Sequence, residues 1–309
     1  MGKLAFVFSG QGAQYEGMGA ELCRRIAAAK RVFDTADGIR PGTSKQCFTA
    51  GKEELAVTAN TQPCVFCVDL AAAMSLTEAG VTPDAVAGFS LGEIAALTFS
   101  GAFSLSDGFA FVCRRAAVMQ RAAERSGGGM VAVLRLPDER VEALCEGFGR
   151  VYPANYNCPG QLVVAGGTDE LPAFCEAVQA AGGKAVLLPV GGGFHSPFMD
   201  GAAKELSNEL EAFALGPPSV PVYANSTALP YGDGRKALIA RQVNSPVLWR
   251  RTIERMTGDG FDTFVETGPG KTLCGLIKKT VPGAAVYHVE DGASLNAALA
   301  ALCKGSKRC

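Results

Sequence analysis

Apolar and polar positions along the chain fall into short segments that alternate between strand-like and helix-like spacing. Leu4-Ala5-Phe6-Val7-Phe8 is an unbroken apolar run, the pattern of a strand buried on both faces. Ser9-Gly10-Gln11-Gly12 makes a turn after it, with helix expected from about Gly17. Helical spacing returns over about 62–79, Ala85-Val86-Ala87-Gly88 predicts a short strand, and a helix opens at Leu91. Ser104 caps a further helix that runs to about Glu124. This repetition of strand, turn and helix predicts an α/β fold with a largely parallel sheet.

The pattern changes after Ser126-Gly127-Gly128-Gly129. A strand is expected over 130–135, a helix over 137–145, strands over 151–155 and 161–165, a helix over 170–181 and a strand over 185–188. That order, β-α-β-β-α-β, is ferredoxin-like, and it closes at a second glycine run, Gly191-Gly192-Gly193. The expected organisation is therefore a large domain made of residues 1–126 and 194–309, with a small domain, 127–193, inserted. The two glycine runs would be hinges between them. Beyond Ser196, helices and short strands resume, including Thr263-Phe264-Val265-Glu266 and Ala285-Val286-Tyr287.

Charge narrows the choice of partners. The 309 residues carry 29 Lys and Arg against 30 Asp and Glu, a net charge of −1. No long-range field draws such a chain to nucleic acid or an anionic bilayer, so neither is expected as a partner. No apolar run approaches the roughly 18 residues that span a membrane, and the opening turns polar at Ser9, too early for a signal-peptide core. With 11 cysteines, an odd number, a reducing, cytoplasmic location is expected, with most thiols packed as small apolar groups. Cys64-Val65-Phe66-Cys67 has neither a second cysteine pair nor a histidine pair at metal spacing, so no metal is expected. Pro63 before it reads as the first turn of a helix.

Gly88-Phe89-Ser90-Leu91-Gly92 is a G-x-S-x-G between a predicted strand and a predicted helix, the context of a nucleophile elbow. A serine nucleophile needs a base, and the chain has 2 histidines. His195, in Gly193-Phe194-His195-Ser196-Pro197, lies in a loop where an imidazole projects into a cleft. His288 ends an apolar strand, where a structural role is the plainer expectation. Arg115 shares a helix face with Phe111, Val112, Val118 and Met119 and turns inward, while Arg114 reaches solvent. An inward guanidinium needs a carboxylate, supplied by the protein or by a substrate. Two nucleotide-like motifs fail. Gly270-Lys271-Thr272 lacks the earlier glycine of a phosphate-binding loop, where Val265 stands. Gly10-Gln11-Gly12 has Tyr15 in place of a dinucleotide fingerprint's third glycine, so no nucleotide cofactor is expected.

The segments FVFSGQGAQ, GFSLGE, RRAAVMQ, NYNCPGQLVVAG, GGGFHSPFM, RQVNSPVLW and ETGPGKTLCGL together resemble malonyl-CoA:acyl carrier protein transacylases and the related acyltransferase domains of polyketide synthases. The resemblance runs nearly end to end. It implies an α/β-hydrolase-like large domain with a ferredoxin-like insertion, no cofactor, and malonyl-CoA and acyl carrier protein as partners. By resemblance Ser90 takes the malonyl group, His195 is its base, and the Gln242 carbonyl orients His195. The N–H groups of Gln11 and Leu91 would form the oxyanion hole, and Arg115 would hold the malonyl carboxylate. Met119, Met130 and Phe194 would wall the pocket, with Asn155 and Asn157 near it. Phe89 departs from the histidine usual before the serine. That histidine is not the base, so the chemistry is expected to survive. Alternatives are a discrete acyltransferase of a polyketide pathway, a serine hydrolase using Ser90, Asp262 and His288, and a silent carrier-docking module.

Overall fold

The computed structural model describes residues 2–303; the ends of the expected large domain, Met1 and 304–309, lie outside them. Five parallel strands form one sheet: β1 (Lys3–Phe8), β2 (Ala85–Gly88), β7 (Val222–Tyr223), β8 (Phe261–Thr267) and β9 (Ala285–Val289), in the order β7-β2-β1-β8-β9. The central strand β1 is buried from Leu4 to Phe8, as its unbroken apolar run requires. Phe8 lies level with Gly88 on one side and Thr267 on the other. Three loops therefore leave the carboxyl edge together, where open α/β sheets place their ligands.

A second, antiparallel sheet holds β3 (Gly128–Leu134), β4 (Val151–Cys158), β5 (Gln161–Gly167) and β6 (Lys184–Leu187), in the order β4-β5-β3-β6. With helices Asp138–Cys145 and Leu171–Ala180, the chain order is the expected β-α-β-β-α-β. Strand alternation splits its faces. Val131, Val133, Leu162 and Val164 pack with Val141 and Phe174 of the two helices, while Met130, Val163 and Ala165 join the core of the main body. β4 runs on to Cys158, past the expected end at 155, because it stays paired with β5 at Tyr156–Leu162 and Cys158–Gln161; on its other edge Tyr156 N donates to Val247 O at 2.9 Å and Val247 N to Ala154 O at 2.8 Å. Pro153 is tolerated because β4 is an edge strand.

The glycine runs differ from expectation. Gly127 ends helix Leu105–Ser126 at φ 59, but Gly128 and Gly129 are already in β3. A Cβ on Gly128 would stand 2.8 Å from Gly193 N, and one on Gly193 would stand 2.6 Å from the Phe198 ring. The two crossings pack against each other, so absence of bulk rather than torsional freedom explains these glycines. Helix Thr58–Glu78 also begins earlier than expected, placing Pro63 inside it. Its opening N–H, from Thr58, is satisfied by Gln120 Oε1 at 3.1 Å. That cap comes from a distant helix and leaves no local signal. The cysteines Cys47, Cys64, Cys67, Cys145, Cys158 and Cys274 are buried thiols.

Candidate active site

Between β2 and helix Leu91–Phe99 the chain turns so sharply that Ser90 sits at φ 54, ψ −102. Such a conformation costs on the order of 1–3 kcal/mol and persists only where surroundings enforce it. The flanking glycines are part of that enforcement. A Cβ on Gly88 would lie 1.9 Å from Gly92 C, and one on Gly92 would lie 2.2 Å from Phe8 O. The G-x-S-x-G is thus set by contact between the elbow and β1.

Ser90 Oγ lies 2.7 Å from His195 Nε2. His195 is buried, and its Nδ1 faces two backbone carbonyls, Gln242 O at 3.0 Å and Ser245 O at 3.3 Å. Carbonyls only accept, so Nδ1 carries the proton and Nε2 is left bare to take one from Ser90. Burial, then the Arg115 guanidinium, hold the imidazole down to about 4, against a weaker upward pull from the two carbonyls. It is neutral at pH 7. His288 is elsewhere. It lies on β9 at the sheet edge, with β8 and β1 between it and β2, and its Nε2 is 3.7 Å from Glu290. Asp262, at the opposite end of β8, accepts from Gly2 N at 2.9 Å and Thr263 Oγ1 at 2.8 Å. The hydrolase triad of Ser90, Asp262 and His288 is not assembled.

Arg115 is 1% exposed, and Arg114 pairs with Glu209 at the surface, as the helix spacing predicts. The Arg115 guanidinium donates to Gln62 Oε1 at 2.6 Å, Gln242 Oε1 at 2.9 Å and Ser90 Oγ at 3.2 Å. Its Nε has no partner among the described residues. Burial lowers it to about 10, offset in part by Glu93, so it stays a cation at pH 7. A serine, a neutral base and a buried fork of donors thus meet around one oxygen. Such an array can perform acyl transfer, and a fork of donors of this kind can pair with a carboxylate.

A model of the acyl transferase domain matches residues 5–298. The chain belongs to the acyl transferase domain family. It is 37% identical over 311 residues to a malonyl CoA-acyl carrier protein transacylase of Bacillus subtilis, covering 98% of each. A malonyl CoA-acyl carrier protein transacylase of Clostridium perfringens superposes with a TM-score of 0.94 at 38% identity, covering 98% of each chain. A malonyl-transacylase solved with its type II polyketide acyl-carrier protein superposes at 0.93 and 32% identity, covering 97% of this chain and 99% of that one.

In this acyltransferase a cavity of about 700 Å³ opens beside the elbow, lined by Ser9 to Glu16, Phe89, Asn155, Asn157, Leu273 and Leu276 among others. The N–H groups of Gln11 and Leu91 carry no hydrogen bond to any described residue. Met130 instead lines a neighbouring cavity of about 650 Å³, and the two share Leu188 and Val190 as walls. Met119 touches the site through Gln62, whose Nε2 is 3.5 Å from its sulfur. Phe194 is buried in the main core beside His195. Sequence reasoning missed Gln62 as an arginine ligand, and it missed Asn225, Glu93 and Tyr231 below the elbow. Gln62 is one of several polar residues in its helix, with Asn60, Thr61 and Asp69, and no pattern singles it out. Asn225 carries no sequence pattern at all.

Proposed function

We infer that the chain transfers a malonyl group from malonyl-CoA to the phosphopantetheine thiol of an acyl carrier protein, through a malonyl ester on Ser90. One observation carries this reading: Arg115 Nη2 and His195 Nε2 lie 3.2 and 2.7 Å from the same Ser90 oxygen. A carboxylate held by the buried cation therefore brings the carbonyl two atoms away onto the nucleophile. Asn155 and Asn157 are assigned to the wall of the channel beside the elbow, Met130 to the adjoining cavity, and Met119 and Phe194 to the packing behind Gln62 and His195.

In the first half-reaction the Ser90 Oγ–H proton passes to His195 Nε2 as Oγ bonds to the thioester carbonyl carbon. The oxyanion is met by the N–H groups of Gln11 and Leu91. Collapse breaks the C–S bond, and the imidazolium returns its proton to the CoA sulfur. The second half-reaction reverses these steps with the pantetheine thiol as nucleophile, its proton passing through His195 to Ser90 Oγ. Gln242 O and Ser245 O orient the imidazole where an acid does so in a usual triad. A carbonyl adds no net negative charge, and the anionic acyl group is not repelled.

We assign the chemistry to a large domain, 1–126 and 194–309, the small domain 127–193 forming a wall of the channel, and place the protein in the cytoplasm. Service to a fatty-acid or a polyketide carrier uses the same chemistry and differs only in the carrier accepted. The test is mass spectrometry of protein quenched after brief exposure to malonyl-CoA. A malonyl adduct on Ser90 that disappears on adding holo-carrier protein is expected; its absence on Ser90 overturns the reading.

A further inference from the structure

We propose that Asn225 is a positioning residue for the nucleophile, and that Glu93 is the strut that holds it in place. The proposal rests on Ser90 being the acylated residue. It begins from where strand pairing stops. β2 is paired with β7 only at Val86–Val222 and Ala87–Tyr223. Past that point Gly88 O and Ser90 N, on the strained side of the elbow, have no neighbouring strand to bond to. Orphaned backbone groups of this kind are costly when shielded from water.

The Asn225 carboxamide fills the gap. Its Nδ2 donates to Gly88 O at 2.6 Å, and its Oδ1 accepts from Ser90 N at 2.7 Å. One donor and one acceptor on a planar amide reproduce what a peptide group of β7 would offer had the strand continued. Asn225 is itself fixed at both backbone atoms. Its N donates to Glu93 Oε2, and its O accepts from Leu248 N at 2.8 Å. Glu93 is 1% exposed, in the first turn of the helix that leaves the elbow, and its other oxygen accepts from Tyr231 OH. Hydrogen bonds therefore run in a closed ring from the elbow helix through Glu93 and Asn225 back to the strand end. Gln242 Nε2 joins it, 2.7 Å from Ser90 O and 3.4 Å from Asn225 Oδ1.

The ring also selects which amide is free. Ser90 N is taken by Asn225, Gly92 N by Phe89 O at 3.0 Å, and Glu93 N by Ser90 O at 3.2 Å. Leu91 N is what the elbow has left for a developing oxyanion. Removing Asn225 releases the Ser90 N–H as a competing donor and lets Oγ drift from His195.

The test measures the single-turnover rate of malonyl ester formation on Ser90, together with KM for malonyl-CoA. Asn225→Ala is expected to slow acylation by about 100-fold, the scale of a misplacement near 1 Å, with KM moved by less than about threefold. Asn225→Asp, which keeps the acceptor and loses the donor, falls between Asn225→Ala and wild type. Glu93→Ala slows acylation roughly tenfold, and Glu93→Gln, which still offers Asn225 N an acceptor, restores most of it. Acylation of Asn225→Ala at the wild-type rate, or a slow Glu93→Gln matching Glu93→Ala, overturns the proposal. Should Asn225→Ala fail to fold, Asn225→Asp and the Glu93 pair decide by the same criteria. Wild-type protein left unlabelled at Ser90 instead overturns the malonyl-serine reading.

Discussion

Replacing Arg115 by Ala separates the carboxylate reading from a merely structural arginine. The side chain is 1% exposed and hydrogen-bonded to Gln62, Gln242 and Ser90, so a carboxylate paired with it is shielded from water. Truncating one partner of a buried, hydrogen-bonded charge pair costs about 3–5 kcal/mol, and each ~1.36 kcal/mol is tenfold in rate. The kcat/KM for malonyl-CoA should fall by roughly two to nearly four orders of magnitude. Acetyl-CoA has no carboxylate and uses only the contact to Ser90 Oγ, so its transfer should fall by about tenfold or less. The assay is initial-rate transfer to holo-carrier protein from each donor. The ratio of the two kcat/KM values cancels any loss of folded protein, which matters because Gln62 and Gln242 lose a donor in the variant. Arg115→Lys keeps the charge without the fork and should lie between. A malonyl-to-acetyl ratio unchanged from wild type would refute the carboxylate role.

His195→Ala should lower kcat about 10²–10⁴-fold, the usual range for losing a general base; His288→Ala should leave transfer within about twofold, and the reverse ranking in the same assay would restore the hydrolase arrangement. Because burial and the Arg115 guanidinium depress His195 to about 4, kcat/KM for malonyl-CoA should hold from neutral pH downward and be lost as pH falls through about 4. The acid limb of kcat should lie higher, since bound carboxylate offsets the Arg115 charge; coincident limbs would contradict that coupling. Phe89→His should leave the acylation rate near wild type and lower the melting temperature by a few degrees at most. It loses a T-shaped contact with Trp249 at 5.6 Å, which contributes about 0.5–1.5 kcal/mol. Gly88→Ala should give no soluble active protein, because its Cβ would lie 1.9 Å from Gly92 C.

The elements that carry strong periodicity were legible. β1 is one apolar run, Ser90 stands between a strand and a helix, and Arg115 lies on the apolar face of its helix; each follows from local pattern. What was illegible depends on partners far along the chain. Thr58 opens its helix because Gln120 caps it. Gly128 is flush against Gly193 because two crossings share one space, which in sequence looks like flexibility. Asn225 matters because a two-residue strand stops short of the elbow, and strand length is what sequence periodicity defines least. His195 stands out from His288 in sequence by its loop setting, but its orientation by carbonyls of 242 and 245 is a property of the backbone path and has no side-chain signature.

That backbone orientation gives the site an unusual genetic profile. Any residue at 245 except proline, which lacks the N–H that donates to Gln242 O at 3.3 Å, presents the same carbonyl to His195 Nδ1, since every amino acid has one. A scan of substitutions would therefore pass over Ser245 in silence although it borders the base. At Gln242 the same scan would register the side chain, which holds Arg115 and Ser90 O, and miss the carbonyl beside it. Part of the machinery is thus shielded from point mutation, and only changes that redirect the main chain around residues 242–245 can disturb it.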